Sequence, residues 1–308
     1  MQLTVKKEQN GITVLQLLRK ELGFSSKLIK HLKFSEDGIA VNGERVTVRK
    51  VLHAGDLVLL ALEDNDAADI APVDLPIQIL YEDGDVVVPA KPSNMPTHPS
   101  HDHHYDTVAN ALAYRYTQKG IPFVFRPINR LDRNTSGLLL IARNRVSAGK
   151  LSNAMKNGEI QKSYLAVLDG EMTQAEGRVE APLHRTAESI IVREVCEPDA
   201  PDADWALTEY RVLAVANGHT LVEARPITGR THQLRVHFAY LGFPITGDDL
   251  YGTASAEISR HALHAYTLTF PHPVTQESIF LKAPLPADMS SLIDRFFQNI
   301  QANRKELP

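Results

Sequence analysis

An aspartate flanked by two arginines is the first candidate for chemistry in the sequence. Asp132 stands between Arg130 and Arg133 and is followed by Thr-Ser-Gly and an apolar run over 138–142. Such a run predicts a short strand that is buried on both faces and places the carboxylate near the core. A carboxylate there needs partners to stay ionised, and an arginine supplies them. The pattern suits a catalytic acid, and a structural ion pair that closes the loop is the alternative.

A second group of arginines and histidines lies further along the chain. Arg230, His232, Arg235 and His237 recur at spacings of two or three residues. Taken alone, this spacing is also typical of the polar edge of a strand. The spacing therefore does not by itself distinguish a binding site from a strand edge.

Histidines are concentrated in a third segment, together with two aspartates. Imidazole and carboxylate groups are ligands of zinc and other transition metals. However, these histidines are crowded on a proline-flanked loop instead of standing at helical spacing, and no second set of acids accompanies them. We therefore predict no metal site at this loop. The residues concerned are His98, His101, Asp102, His103, His104 and Asp106.

The composition is that of a soluble globular protein. With 308 residues, 43 % of them hydrophobic, the chain is long enough for two domains and a substantial core. No segment resembles a signal peptide or a membrane span, and a single cysteine, Cys196, agrees with a reducing compartment. The sequence therefore predicts a cytoplasmic protein that does not span a membrane.

The net charge of −4 conceals a segregation of charge along the chain. Residues 1–60 carry ten Lys and Arg against six Asp and Glu, and residues 91–170 carry eleven against five. The segments 61–90 and 171–217 are acidic. Because nucleic-acid binding depends on local potential and counterion release, two basic segments permit RNA binding despite the negative total.

The first basic segment has the pattern of a small domain. A helix is predicted to begin at Thr13 and end at Gly23, and a second is predicted to begin at Ser25 or Ser26. The second helix carries a lysine at every third position, which forms a basic side for contact with RNA. A solvated helix face is the alternative. The three lysines are Lys27, Lys30 and Lys33.

Three strands are predicted after these helices, at 39–41, 45–48 and 56–60, with an Asn-Gly turn between the first two. This order of two short helices and three strands resembles the alpha-L RNA-binding domain, which also occurs in ribosomal small-subunit protein four. The resemblance implies that residues 1–62 form a small α/β RNA-binding domain.

The rest of the chain has a different pattern. Residues 63–75 are acidic and without periodicity, and they predict an interdomain linker. Beyond them, short apolar runs typical of strands alternate with fewer helical stretches, such as the one over 107–116. The α+β class is therefore predicted for a single second domain over residues 76–308.

Four motifs of this second domain occur in the order of one family. They resemble the RluA-type pseudouridine synthases over roughly residues 77–300. Asn129 stands where the family has a histidine, a change that touches loop support and RNA contact, and Ala90 and Asn94 also depart from the pattern. The motifs are AKPSN (90–94) with THP (97–99), NRLDRNTSG (129–137), KSYLA (162–166), and TGRTHQLRVH (228–237) followed by GDDLYG (247–252).

The resemblance implies a pseudouridine synthase fold with a mixed, largely antiparallel sheet and a central cleft. It implies that Asp132 and Tyr164 are catalytic and that Arg235 pairs with Asp132. The histidine loop is expected near the RNA, and the arginines beside Asp132 are expected to hold the backbone around a flipped nucleotide. The RNA-contact residues so predicted are Arg130, Arg133, Lys27, Lys30, Lys33, Arg230 and His98.

The implied reaction is an isomerisation. Uridine loses its N1–C1′ bond, the uracil turns while it stays bound, and C5 joins C1′ before the C5 proton leaves. Substrate and product are isomers, so no cofactor is expected. Asp132 can attack C1′, stabilise positive charge there or take the 2′ proton, and the sequence leaves these routes open.

Two other functions remain as alternatives. A non-catalytic RNA-binding or ribosome-assembly protein would keep the fold but lose Asp132 or Tyr164, and both are present. A hydrolase would need a second carboxylate about 5–9.5 Å from the first, and no motif offers one. The expected partner is RNA, with large-subunit ribosomal RNA and transfer RNA both open as substrates, and a monomer is expected.

Overall fold

The helices of the N-terminal part begin where their caps predict. The hydroxyl of Thr13 accepts a hydrogen bond from the backbone N–H of Gln16 at 3.2 Å, and that of Ser25 accepts from the N–H of Leu28 at 3.2 Å. The residues that the computed structural model describes are 1–62, 70–189 and 191–297. The elements of this part are β1 (Gln2–Thr4), α1 (Val14–Gln16) with a π-helical turn (Leu17–Glu21), α2 (Ser26–Phe34), β2 (Ile39–Val41), β3 (Glu44–Arg45) and β4 (Leu57–Leu60).

The N-terminal strands form an antiparallel sheet in the order β1-β4-β2-β3. Strand β1 was not predicted, because a run of only three residues gives little signal until β4 pairs with it. The predicted strand over 45–48 is shorter in the structure, since the chain turns there and the N–H of Lys50 donates to the carbonyl of Thr47 at 3.1 Å. The sheet and α2 enclose a separate apolar core.

Most of the remaining strands build one large sheet with helices around it, and two others, β12 and β13, pair in a separate sheet. Within the described residues, eleven strands belong to this sheet, and only the pair β16–β8 is parallel. The predicted α+β class and the mixed, largely antiparallel sheet are therefore confirmed. The elements are β5 (Gln78–Glu82), β6 (Val86–Lys91), α3 (Val108–Gln118), β7 (Arg126–Pro127), β8 (Ser136–Leu138), β9 (Ile141–Ala142), α4 (Arg145–Lys156), β10 (Gln161–Asp169), β11 (Glu176–Glu180), β12 (Leu183–Arg185), β13 (Arg193–Val195), β14 (Leu207–Ala216), β15 (His219–Pro226), α5 (Gln233–Tyr240), β16 (Leu263–Pro271), β17 (Ser278–Lys282) and α6 (Ala287–Phe297).

The strand predicted over 138–142 is two strands with a break between them. All five residues are buried, as predicted, but β8 ends at Leu138 and β9 begins at Ile141. Both strands pair with β6. The break arises because the N–H of Leu140 donates to the side chain of Asn129 at 2.8 Å instead of to a neighbouring strand.

Gly137 fixes the position of β8 at the centre of the sheet. Its φ is +113°, and a Cβ at this position would lie 2.1 Å from the carbonyl oxygen of Ala265 on β16. Only glycine permits this approach. The loop that precedes β8, which carries Asp132, is therefore anchored between β6 and β16.

The predicted linker is only partly within the described residues, since 63–69 lie outside them. Residues 70–77 have no regular secondary structure, and the N–H of Val73 donates to the carbonyl of Asn110 on α3 at 3.2 Å. The predicted domain boundaries stay predictions.

The N-terminal part also contacts α4, where Gly149 lets Ser25 approach closely. No helix in the described residues is long and apolar enough to cross a membrane.

Candidate active site

A cleft of about 1130 Å³ lies between the loop 127–135, the start of β10 and the segment 225–235 that leads into α5. This volume accommodates a nucleotide-sized ligand. Seven of the predicted site residues line the cleft: Asp132, Tyr164, Arg235, Arg130, Arg133, Arg230 and His98. The three lysines of α2 are exposed but are not part of its lining: Lys27, Lys30 and Lys33.

Asp132 lies in a loop that is held on both sides. The hydroxyl of Thr97 donates to the carbonyl of Leu131 at 2.9 Å and accepts from the N–H of the same residue at 3.3 Å. The N–H of Thr135 then donates to the carbonyl of Asp132 at 3.1 Å. The carboxylate itself is 29 % exposed, so it is open to a ligand in the cleft while its backbone is fixed.

Lys91, at the end of β6, supports this loop from the protein interior. Its Nζ donates to the carbonyls of Pro92, Met95 and Arg133 at 2.9, 2.7 and 2.9 Å, and the side chain is buried. Burial lowers the pKa of Lys91 to about 7, and the negative charge of Asp132 opposes this shift. Three carbonyl acceptors match the three N–H groups of the ammonium form. Lys91 therefore braces the loop and brings positive charge close to the carboxylate.

Arg235 is shared between two aspartates. Its Nε and Nη2 each donate to one carboxylate oxygen of Asp248 at 2.7 Å, whereas its Nη1 lies 3.7 Å from Oδ2 of Asp132. The predicted pair with Asp132 is thus present, but the bidentate partner is Asp248, which the sequence reasoning missed. Burial raises the pKa of Asp248, but the hydrogen bonds and charge of Arg235 outweigh burial and hold that pKa below its usual range.

Tyr164 lies on β10 and lines the inner wall of the cleft. Its ring is 7 % exposed and belongs to the large apolar core. Burial raises the pKa of the Tyr164 hydroxyl, and the negative charge of Asp132 raises it further. The hydroxyl is therefore protonated at neutral pH, and the ring offers a flat apolar face close to Asp132.

Cationic side chains surround the mouth of the cleft. Arg130 and Arg133 are exposed on either side of Asp132. Arg230 forms an ion pair with Asp204 at 3.0 Å. Burial and the nearby charge of Arg130 lower the pKa of His98. Three further basic residues line the cleft and were missed by the sequence reasoning: Lys156, Lys162 and Arg225.

The segment 230–237 is a turn and a helix, so the strand-edge alternative is wrong. His232 is the N-cap of α5, and its Nε2 lies 3.9 Å from Oδ2 of Asp132. The sequence reasoning named His232 within its motif but gave it no role. Asp248 and Lys91 also lay within the quoted motifs, yet nothing in the spacing indicated that Asp248 holds Arg235 or that Lys91 supports the loop of Asp132.

Asn129, which replaces the family's histidine, has a structural contact. Its side-chain oxygen accepts from the N–H of Leu140 at 2.8 Å, and the residue also lines the cleft. The loop support that the substitution put in doubt is therefore provided by the amide.

Two groups of residues carry candidate metal ligands. At the histidine loop, Nδ1 of His103 lies 2.7 Å from a carboxylate oxygen of Asp106. Within the described residues, the group that brings three ligand atoms within 4.8 Å of one another is Asp83, Asp85 and His272, which does not line the cleft. There Nε2 of His272 hydrogen-bonds the Asp83 carboxylate at 2.9 Å, so the group forms a tether between β16 and the turn after β5.

Several known proteins are similar to this chain in sequence and in fold. The RNA pseudouridylate synthase family matches residues 85–240, and the N-terminal domain of the ribosomal pseudouridine synthase RluD matches residues 1–58. The uncharacterized RNA pseudouridine synthase YjbO of Bacillus subtilis is 42 % identical over 89 % of this chain and 95 % of its own. The ribosomal large subunit pseudouridine synthase D of Vibrio cholerae is 33 % identical over 98 % and 97 %.

A solved structure agrees with these matches. The human RNA pseudouridylate synthase domain containing 1 protein superposes with a TM-score of 0.58 and 27 % identity, over 74 % of this chain and 96 % of that one. Asp132 and all but one of the residues that line its cleft lie within the family match over residues 85–240. The protein belongs to the RNA pseudouridine synthase family, as its RluA-type motifs predicted.

Proposed function

We propose that this enzyme isomerises uridines of large-subunit ribosomal RNA and that Asp132 is the carboxylate that acts on the ribose. The observation that supports the role of Asp132 most strongly is its position. It lies in a nucleotide-sized cleft, 3.7 Å from the guanidinium of Arg235, with its side chain open to the cleft. The choice of ribosomal RNA follows from the named relative from Vibrio cholerae and from the match of residues 1–58.

Asp132 is suited to act at C1′ or C2′ of the target nucleotide. Two basic side chains lie near it, and neither occupies it, because Lys91 donates to carbonyl groups and Arg235 is held by Asp248. The carboxylate is thus not tightly paired. All three chemical routes open to it use a carboxylate oxygen that is free to reach the ribose.

Tyr164 supplies the surface on which the uracil lies. Because the pKa of its hydroxyl is raised, Tyr164 is not a phenolate at neutral pH and does not serve as a base in that form. Its ring, which is packed into the apolar core, can stack against the uracil while the base turns. We therefore assign Tyr164 to the placement of the base.

The basic mouth of the cleft is suited to a flipped nucleotide. A stacked uridine hides C1′ and C5, so it must leave its helix or belong to a loop before the carboxylate can reach it. Arg130 and Arg133 lie next to Asp132 and are exposed, which suits contacts with the phosphates that flank the target. The lysines of α2 extend the contact to RNA further from the cleft.

Further parts of the proposal concern where and how the enzyme works. We expect the enzyme to be active as a monomer. We expect it in the cytoplasm, with its ribosomal RNA substrate. Because the reaction rearranges the atoms of one nucleotide, it consumes no second substrate.

Mapping pseudouridines in RNA from cells with and without the protein tests the choice of substrate. Loss of one or a few sites in large-subunit ribosomal RNA is expected. Loss of sites in transfer RNA alone would refute the ribosomal assignment while keeping the activity. Unchanged maps of all RNAs would refute the proposed function, provided that the deletion strain makes no other enzyme with overlapping targets.

A further inference from the structure

We propose that His232 is a substrate-contacting residue whose ring N–H at Nε2 donates to the O2 oxygen of the target uracil. The inference deepens the proposed function and rests on it. It assigns a hydrogen-bond donor for the departing base on the cleft wall, beside the carboxylate that acts on the sugar.

The backbone of His232 has an unusual conformation that places its ring in the cleft. Its φ of +58° and ψ of 15° lie in the left-handed region, which residues with a Cβ seldom adopt. The residue is the N-cap of α5 and its carbonyl accepts from the N–H of Val236 at 3.0 Å, but its side chain makes no cap bond. Its side chain is 12 % exposed and lines the cleft. Strained backbone of this kind is often found at functional sites.

Hydrogen bonds determine which ring nitrogen of His232 carries the proton. The hydroxyl oxygen of Tyr251 accepts from the backbone N–H of Arg193 at 3.0 Å. The same oxygen lies 2.8 Å from Nδ1 of His232. Since the oxygen already accepts once, donation of the hydroxyl proton to Nδ1 gives both groups a partner. Nδ1 is then an acceptor, and the ring proton stands on Nε2.

The surroundings of Nε2 agree with this tautomer. Nε2 lies 3.9 Å from Oδ2 of Asp132, and a lone pair on Nε2 would face the negative carboxylate, whereas an N–H is attracted to it. Burial lowers the pKa of His232; the charge of Asp132 opposes this, and that of Arg235 supports it. The ring is therefore neutral near pH 7.

An oxygen of the substrate can approach Nε2 from the cleft, beside the carboxylate of Asp132. The distance of 3.9 Å between Nε2 and Oδ2 of Asp132 is too long for a direct hydrogen bond, and no other group among residues 1–62, 70–189 and 191–297 hydrogen-bonds Nε2. When the N1–C1′ bond breaks, the uracil gains negative charge, which its O2 oxygen shares. O2 is bonded to C2, the ring carbon next to N1, so it lies close to C1′, where Asp132 acts. A fixed N–H at this place stabilises that charge.

Two variants separate the donor from the fold of the turn. In His232→Gln the amide nitrogen reaches the place of Nε2, whereas in His232→Asn it reaches only the place of Nδ1. Both residues tolerate the left-handed conformation, as Gln276 and Asn217 of this chain do. We expect the Asn variant to lose about 100-fold in kcat with little change in KM, and the Gln variant to keep most of its activity.

Tyr251→Phe tests the source of the tautomer. It should lower kcat in the wild-type background but not in the His232→Gln background, because glutamine does not need the tyrosine proton. Equal losses in the Gln and Asn variants, with unchanged thermal melts, would overturn the assignment of a donor. So would an Asn variant with wild-type kcat.

The tautomer has a direct readout that does not depend on turnover. In protein with 15N-labelled histidine, the signals absent from His232→Gln identify the ring of His232. We expect a neutral ring protonated at Nε2 at pH 7, and a mixture of tautomers in Tyr251→Phe. A ring protonated at Nδ1 would refute the inference. If wild type forms no pseudouridine in any RNA, the proposed function fails instead, and the two failures are distinguishable.

Discussion

Replacing Asp248 with asparagine should damage both the fold and the activity, although Asp248 does not line the cleft. The side chains of Asp248 and Arg235 are 0 % and 7 % exposed, and two hydrogen bonds of 2.7 Å join them. Asparagine keeps one acceptor but turns an N–H toward the guanidinium and removes the charge. Loss of one partner from a buried ion pair costs about 3–5 kcal/mol, so the free energy of unfolding should fall by about 3 kcal/mol.

The pH dependence of this effect has a definite sign. The pKa of Asp248 is held below its ordinary value of 3.8, because the hydrogen bonds of Arg235 outweigh burial. The pair therefore contributes its full stability above about pH 4 and loses it as the pH falls through the lowered folded-state pKa. The difference in Tm between wild type and Asp248→Asn should be roughly 5–10 °C at pH 7 and should shrink below pH 4.

Activity should fall as well, because Arg235 would be free to turn toward Asp132 and neutralise it. Thermal melts from pH 7 to pH 3 and single-turnover pseudouridine formation measure the two effects. Asp249→Asn is the matched control, since Asp249 is adjacent and exposed, and its Tm should stay within about 1 °C of wild type. Wild-type Tm and wild-type turnover for Asp248→Asn would refute the role of this pair.

Two further predictions concern RNA binding. Tyr164→Phe should keep wild-type affinity for substrate RNA in filter-binding titrations, while Tyr164→Leu should bind about tenfold more weakly, because loss of one stacked base costs about 1–3 kcal/mol; equal affinities would contradict the stacking role. Replacing Lys27, Lys30 and Lys33 together with glutamine should reduce the slope of log K against log salt by about two, with turnover at saturating RNA unchanged. An unchanged slope would show that α2 does not contact phosphates.

Much of the site followed from the sequence because its residues are grouped in short motifs. Asp132 was recognised from its place before a buried run, and the structure confirms that this run is buried. Thr13 was predicted as the cap of α1 and Ser25 as one of two candidate caps of α2, because caps depend on local hydrogen bonds. These features depend only on residues that are close together in the sequence.

What the sequence did not reveal depends on contacts between distant segments. Asp248 and Arg235 are 13 residues apart, and their pairing appears only once α5 and the following loop fold together. The break between β8 and β9 depends on Asn129, which lies eleven residues before Leu140. The tautomer of His232 depends on the backbone of Arg193, which belongs to β13. No pattern of spacing encodes such contacts.

Tritium release by Asp132→Asn tests the central claim most directly. The substrate is ribosomal RNA labelled at C5 of uridine, and filter binding and a thermal melt are measured on the same protein. Because Arg235 keeps its bidentate partner Asp248, the variant should fold with nearly wild-type Tm and bind RNA within a few-fold of wild type. Asp204→Asn, which removes an exposed carboxylate at the rim, is the control and should turn over like wild type.

The proposed mechanism predicts no detectable tritium release from Asp132→Asn, since the amide is neither a nucleophile nor a base of useful strength. Release at the wild-type rate would contradict it, and Asp132 would then be only a structural partner of Arg235.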